Sequence, residues 1–184
     1  MRASIALVAL SAAAVVSISP PSGATQPVVR GVASSHFTAS STLHGFSGSA
    51  APAGFTVAPE ADGSWSAIVE VPVDSLTTDN DSRDRKMRQM FRATEYPVIR
   101  GEFADLVPEK VHTSGRLPFR LTIAGVSRDV TSIASDWRQS ENRLDFVADF
   151  EISLSDFGLE APRVFVVAVA DAVHVTTEVS LKRE

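Results

Sequence analysis

Four stretches of this chain place apolar side chains at every second position, and that period limits what the chain can fold into. Trp65, Ala67, Val69, Val71 and Val73 share one face of a first stretch, opposite Ser66, Ile68, Glu70, Pro72 and Asp74. Leu117, Phe119, Leu121 and Ile123 oppose Arg116, Pro118, Arg120 and Thr122; Leu144, Phe146, Ala148, Phe150 and Ile152 oppose Asp145, Val147, Asp149 and Glu151. Val173, Val175, Thr177, Val179 and Leu181 oppose His174, Thr176, Glu178 and Ser180. Successive side chains of a strand point to opposite faces, so each stretch reads as a strand with one covered and one wet face. Clean alternation of this kind belongs to antiparallel sheet, because parallel sheet wants longer apolar runs and intervening helices. Ile99, Gly101 and Phe103 suggest a further strand. Val126 to Trp137 alternates less cleanly, and Val164 to Val169 is a continuous apolar run. Turn signals at Ala61–Ser64, Thr113–Gly115, Ala124-Gly125 and Ser140–Asn142 separate the stretches, and their spacing points to a barrel or a sandwich.

One segment breaks the pattern. Met87, Met90 and Phe91 stand at helical spacing within Ser82–Ala93. Asp79 to Ser82 supplies residue types that cap a helix start, and Tyr96-Pro97 stops it, since the residue before proline is pushed out of helical geometry. The expected fold class is therefore all-β with one short helix.

The N-terminus reads as a secretory signal peptide over residues 1–24. Met1-Arg2 is a positive start, Ala3 to Ile18 is apolar, Pro20-Pro21 ends any helix, and Ser22-Gly23-Ala24 offers small residues for cleavage after Ala24. The apolar stretch is short for a membrane span, which needs about 20 residues, and no other stretch approaches that length. Residues 25–34 read as a flexible lead-in and 35–184 as the barrel domain. The expected location is periplasmic or secreted, with no stable membrane span. A net charge of −5 gives no reason to expect a nucleic-acid partner. The chain has no cysteine, which excludes disulfides, thiolate nucleophiles and a lipidated N-terminal cysteine.

Little in the sequence carries chemistry. His36, His44, His112 and His174 are dispersed and show no metal-ligand spacing. Ser47 in Gly45-Phe46-Ser47-Gly48 has no nucleophile-elbow context. Asp79, Asn80, Asp81 and Asp84 look like a fragment of a calcium loop but lack its glycine and closing glutamate. They read as helix-capping, solvated residues. Arg83, Arg85, Lys86, Arg88 and Arg92 read either as the wet face of an amphipathic helix or as a greeting for an anionic headgroup. Periodicity leaves open whether the alternating residues fill the interior or line a cavity within it.

Four blocks, in order, resemble the YceI-like family. Val69 to Thr78, followed by Asn80 and Arg83-Asp84, is similar to the family's strand, Ser-Leu-Thr turn and Arg-Asp. Tyr96-Pro97-Val98-Ile99 with Phe103 is similar to its Tyr-Pro-x-Ile-x-Phe. Gly115-Arg116-Leu117 through Leu121-Thr122-Ile123-Ala124-Gly125-Val126 resembles its central hairpin, and Phe150-Glu151-Ile152 through Asp156-Phe157-Gly158-Leu159 its late element. Ser41 to Gly48 is similar to the opening of divergent members. The chain departs from the commonest pattern at Lys86-Met87, where histidine and leucine are usual, and at the single Phe91, where a Phe-Phe pair is common.

The resemblance implies an extended, antiparallel, lipocalin-like β-barrel that encloses a polyisoprenoid chain in the periplasm, without catalytic residues or a cofactor. The residues expected to line the cavity are Phe37, Phe46, Trp65, Val69, Val71, Met87, Met90, Phe91, Phe103, Leu117, Phe119, Leu121, Phe146 and Phe150. Arg83, Lys86 and Arg88 are expected at a headgroup. The expected partner is an apolar lipid such as an isoprenoid quinone or a polyprenyl phosphate, held by a monomer or homodimer. The alternatives are a ligand-free barrel serving as an interaction or stress-response module, and a hydrolase or metal enzyme in which several histidines converge with a carboxylate.

Overall fold

The computed structural model describes residues 29–41, 45–160, 163–164 and 167–183. The expected signal peptide, its cleavage point and His44 lie outside them. Of the expected flexible lead-in, residues 29–34 belong to the first strand. There residues 29–33 pair with a strand on each side, and Ser34 pairs with Glu178 of the last strand.

The strands are β1 (Val29–Ser41), β2 (Phe46–Ser49), β3 (Ala53–Pro59) and β4 (Trp65–Pro72), followed by helix α1 (Asp81–Met90) and β5 (Val98–Leu106). Helix α2 (Pro108–Ser114) precedes β6 (Arg116–Ile123), β7 (Val126–Gln139), β8 (Arg143–Ser153), β9 (Arg163–Val164) and β10 (Val167–Arg183). Neighbouring strands pair antiparallel in the order β1-β3-β4-β5-β6-β7-β8-β10, and β10 returns to β1 from Val29↔Arg183 to Ala39↔Val173. The ring of eight strands is thereby closed, which removes the unpaired edges that an open sheet exposes. The expected antiparallel barrel is correct.

One stave is built in two pieces. β3 pairs with Val29–Ala33 of β1 and β2 with His36–Ala39, so the two short strands succeed one another along the same edge. Between them Ala50 donates its N–H to Ser35 O at 2.9 Å. The free edge of β2 is held by Thr77, through reciprocal backbone bonds of 2.9 Å with Ser49. Three register shifts bend the wall, one of them where β1 meets β10 between Ala39 and Ser41. β5 shifts register near Asp105, at φ 53°, and β7 between Ser135 and Arg138, with Asp136 at φ 52°.

The single expected helix is joined by a second. α2 replaces the expected turn at Thr113–Gly115: Pro108 opens it at the first turn, where the missing N–H costs nothing. Gly115 closes it at φ 65°, donating its N–H to Val111 O at 2.8 Å. Seven residues with Val111 alone half-buried carry no apolar stripe, so periodicity could not show it. α1 lies close to where it was expected. Asn80 caps it, with Oδ1 accepting from the Arg83 N–H at 3.0 Å, and Met87 and Phe91 are buried. Tyr96 covers Gly125, whose φ of 81° and missing Cβ admit the ring, while the Arg92 guanidinium stacks 4.6 Å from the same ring. That contact joins the segment after α1 to the β6–β7 turn.

Candidate functional site

The interior is hollow. A cavity of about 730 Å³ runs through the barrel, within the roughly 300–1,000 Å³ usual for ligand sites. Its wall is the inward set of the alternating strands. Phe37, Phe46, Val69, Val71, Met87, Met90, Phe91, Phe103, Leu117, Phe119, Leu121, Phe146 and Phe150 all line it. Trp65 does not. It is the first residue of β4, paired with Leu106 beside the β5 bulge, where the register shifts. Several lining residues were not singled out from the sequence, among them Phe55 and Val57 of β3, Ile99, Leu106, and Val173, Val175, Val179 and Leu181 of β10. The β10 residues carried the same alternation signal as the others. Phe55 and Val57 stood in a strand too short and too glycine- and alanine-rich to read.

Glycines help to keep the space open. An added Cβ at Gly31 would fall 2.2 Å from the Phe55 ring, and one at Gly48 2.3 Å from the Phe37 ring and 2.5 Å from Thr77 O. Each phenylalanine is the cross-strand partner of its glycine, so the ring lies flat along the wall. Phe103 stacks on Phe119 at 4.9 Å, and Phe150 meets Phe119 edge-on at 5.2 Å. Ala33, Ala67 and Ala148 are small residues of the same lining. The polar exceptions are Ser132, whose hydroxyl donates to Leu117 O at 3.3 Å, and Ser35 and Thr177, whose hydroxyls bond to each other at 3.0 Å.

The two ends differ. At one end Leu106, Leu117, Phe146 and Leu181 close the cavity. Trp137, carried on the β7 bulge, stacks on Phe146 at 4.6 Å, and His112 of α2 meets Trp137 at 5.3 Å. At the other end the lining turns polar, with Asn80, Ser82, Arg83 and Lys86 beside Phe46 and Met87. The Arg83 guanidinium sits 4.7 Å from the centre of the Phe46 ring. Among the described residues, neither Arg83 nor Lys86 has a carboxylate partner. Arg88, also expected at a headgroup, turns away from the cavity towards Asp74 at 3.9 Å.

Asp84 is the residue whose environment the sequence misjudged. It was expected to be solvated, yet it is buried. Its carboxylate accepts from the Thr78 N–H at 2.9 Å, the Thr78 hydroxyl at 2.6 Å and the Thr77 hydroxyl at 2.9 Å. Those bonds, the Thr78 hydroxyl first, hold its pKa below the ordinary carboxylate value against the opposing effect of burial. Through Thr77 the carboxylate anchors α1 to β2 and so positions the polar end of the cavity.

The described histidines, His36, His112 and His174, do not converge there. His36 and His174 project outward from β1 and β10; His174 Nε2 lies 3.3 Å from Asp149 Oδ1. His112 is at the opposite end with Trp137. Among the described residues no three His, Asp or Glu side chains are grouped to hold a metal. Ser47 is an exposed residue of β2 paired with Thr38.

The family model of the YceI-like domain matches residues 22–181. The chain belongs to the YceI-like family. No curated relative matches it. Solved structures share the YceI-like barrel at low identity. Burkholderia cenocepacia BcnA is 17% identical with a TM-score of 0.65, over 80% of this chain and 95% of its own. A polyisoprenoid binding domain from Saccharophagus degradans, implicated in plant cell wall breakdown, is 15% identical with a TM-score of 0.65, over 84% and 98%. The Campylobacter jejuni YceI protein is 21% identical with a TM-score of 0.54, over 74% and 84%. These likenesses establish the fold.

Proposed function

We propose that this YceI-like barrel sequesters one long apolar lipid of polyisoprenoid type outside the cytoplasm. The observation that carries the reading is the continuous apolar cavity, open beside α1 and floored by aromatic rings. Its wall offers hydrocarbon and aromatic surface along almost its whole length, with few groups able to orient a polar substrate. Each buried CH₂ contributes roughly 0.8 kcal/mol, so a tail of many carbons offsets the cost of ordering it and the lost freedom of association. The description of the Saccharophagus relative as a polyisoprenoid binding domain supports the same ligand class. Arg83 and Lys86 at the rim suit the head of a polyprenyl phosphate; an isoprenoid quinone would leave them in solvent. The leader-like residues 1–24 support a periplasmic or secreted location, and the barrel functions as a carrier rather than an enzyme, as a monomer or homodimer.

The test is native mass spectrometry of the protein recovered from a bacterial periplasm, with organic extraction of whatever is bound. A co-purifying lipid of discrete mass is the expected result. A bare protein that also takes up neither isoprenoid quinones nor polyprenyl phosphates would refute the carrier reading.

A further inference from the structure

We infer that the barrel measures its ligand, with the floor at Phe146 and Trp137 limiting the enclosed tail to about four isoprene units. The inference rests on the lipid-carrier reading and adds to it a chain-length class and the residues that set it.

The depth follows from β10, whose inward residues run from Val173 at the polar end to Leu181 at the floor. Eight residue steps at roughly 3.3 Å each, on strands tilted about 40° to the barrel axis, give an axial depth of ~20 Å. An extended isoprene unit contributes four backbone bonds of roughly 1.5 Å, hence ~5 Å per unit. The floor itself is firm. Phe146 is buried and backed by Trp137 at 4.6 Å, and Val111 and Leu144 pack against the same cluster. A tail that reaches it has no apolar path onward, so further units extend through the mouth between α1 and β2. Units left there gain little burial, and affinity stops rising with length.

The experiment titrates the mature protein with all-trans prenols of two to eight isoprene units, following tryptophan fluorescence and, in parallel, displacement of a bound four-unit prenol by mass spectrometry. Affinity is expected to rise at least tenfold per unit up to about four units and then to level off. Phe146→Ala deepens the cavity and moves the break up by about one unit. Because that variant risks the fold, Ala148→Leu is the second probe. It adds volume into open space above the floor and moves the break down by about one unit. A break that stays put in a folded Ala148→Leu protein, or affinity that climbs steadily to eight units, overturns the ruler and leaves the carrier reading standing. Absence of binding at every length overturns both.

Discussion

The two helices serve opposite ends of one barrel and are fastened by different chemistry. α1 is held by a buried carboxylate with three hydrogen bonds, and it presents Arg83 and Lys86 to solvent beside an apolar opening. Among the described residues α2 has no comparable tie; it rests Val111 and the His112 ring against the floor cluster, whose seal is the Trp137–Phe146 stack. An end that must be wet and still keep its position uses directional bonds to a charge, which are worth more than neutral ones. An end that must stay dry uses ring surface, which needs no polar partner.

The sharpest way to break this contrast is Asp84→Ala. It removes three bonds to a carboxylate and leaves the buried Thr78 N–H without its acceptor, for an expected loss of about 3 kcal/mol in urea unfolding. Asp84→Asn should cost less. The same carboxylate gives the mouth an acid sensitivity. Its folded pKa lies below the ordinary 3.8, so its stabilisation is complete above that value and lost as pH falls through the lower folded one. Unfolding free energy should therefore drop more steeply below about pH 4 in the native protein than in Asp84→Asn.

Gly48→Ala ranks next, with an expected loss of about 2 kcal/mol from overpacking, since the new methyl meets both the Phe37 ring and a backbone carbonyl that cannot move aside. In Gly31→Ala the three atoms nearest the new methyl all belong to the Phe55 ring. There the ring should swing into the lumen, costing less stability and more ligand capacity, and paired unfolding and lipid-loading measurements separate the two variants. At the floor, Val111→Ala should cost about 1 kcal/mol, because the residue is half-buried rather than enclosed. A loss equal to that of Asp84→Ala would show that the two ends are fastened alike. Smallest of all, Lys86→Gln should change stability by less than about 0.5 kcal/mol, while weakening uptake of a polyprenyl phosphate relative to the uncharged prenol.

Much of this architecture was legible because β4, β6, β8 and β10 alternate large apolar with polar residues. β6 was marked out to the residue, Arg116–Ile123. β1 to β3 were harder: Ser, Ala, Gly and Thr occupy both faces, and the large rings that identify the inner face, Phe37 and Phe55, lie over glycines where periodicity gives no warning. α2 is too short to display a stripe. Trp65 fitted its stretch by period, yet parity along a strand says nothing about where its register shifts. Arg88 followed the same rule on a helix, sharing a basic run with Arg83 and Lys86 but pointing elsewhere. Asp84 looked like a capping acid because burial by Thr77 and Thr78 depends on the fold of the turn before it. Whether the interior was filled or empty had no sequence signal at all, since both cases need apolar residues at the same positions.

The ring is closed by pairing its first strand with its last, Val29 against Arg183. Closure therefore waits on the most distant contacts the chain can make, which are the slowest to form. A growing polypeptide that has not yet released β10 can assemble the β4–β8 meander but has no cavity to load. The cavity is walled by both ends of the chain, so it is complete only once β1 and β10 have paired, and a chain that is not yet closed holds no cargo.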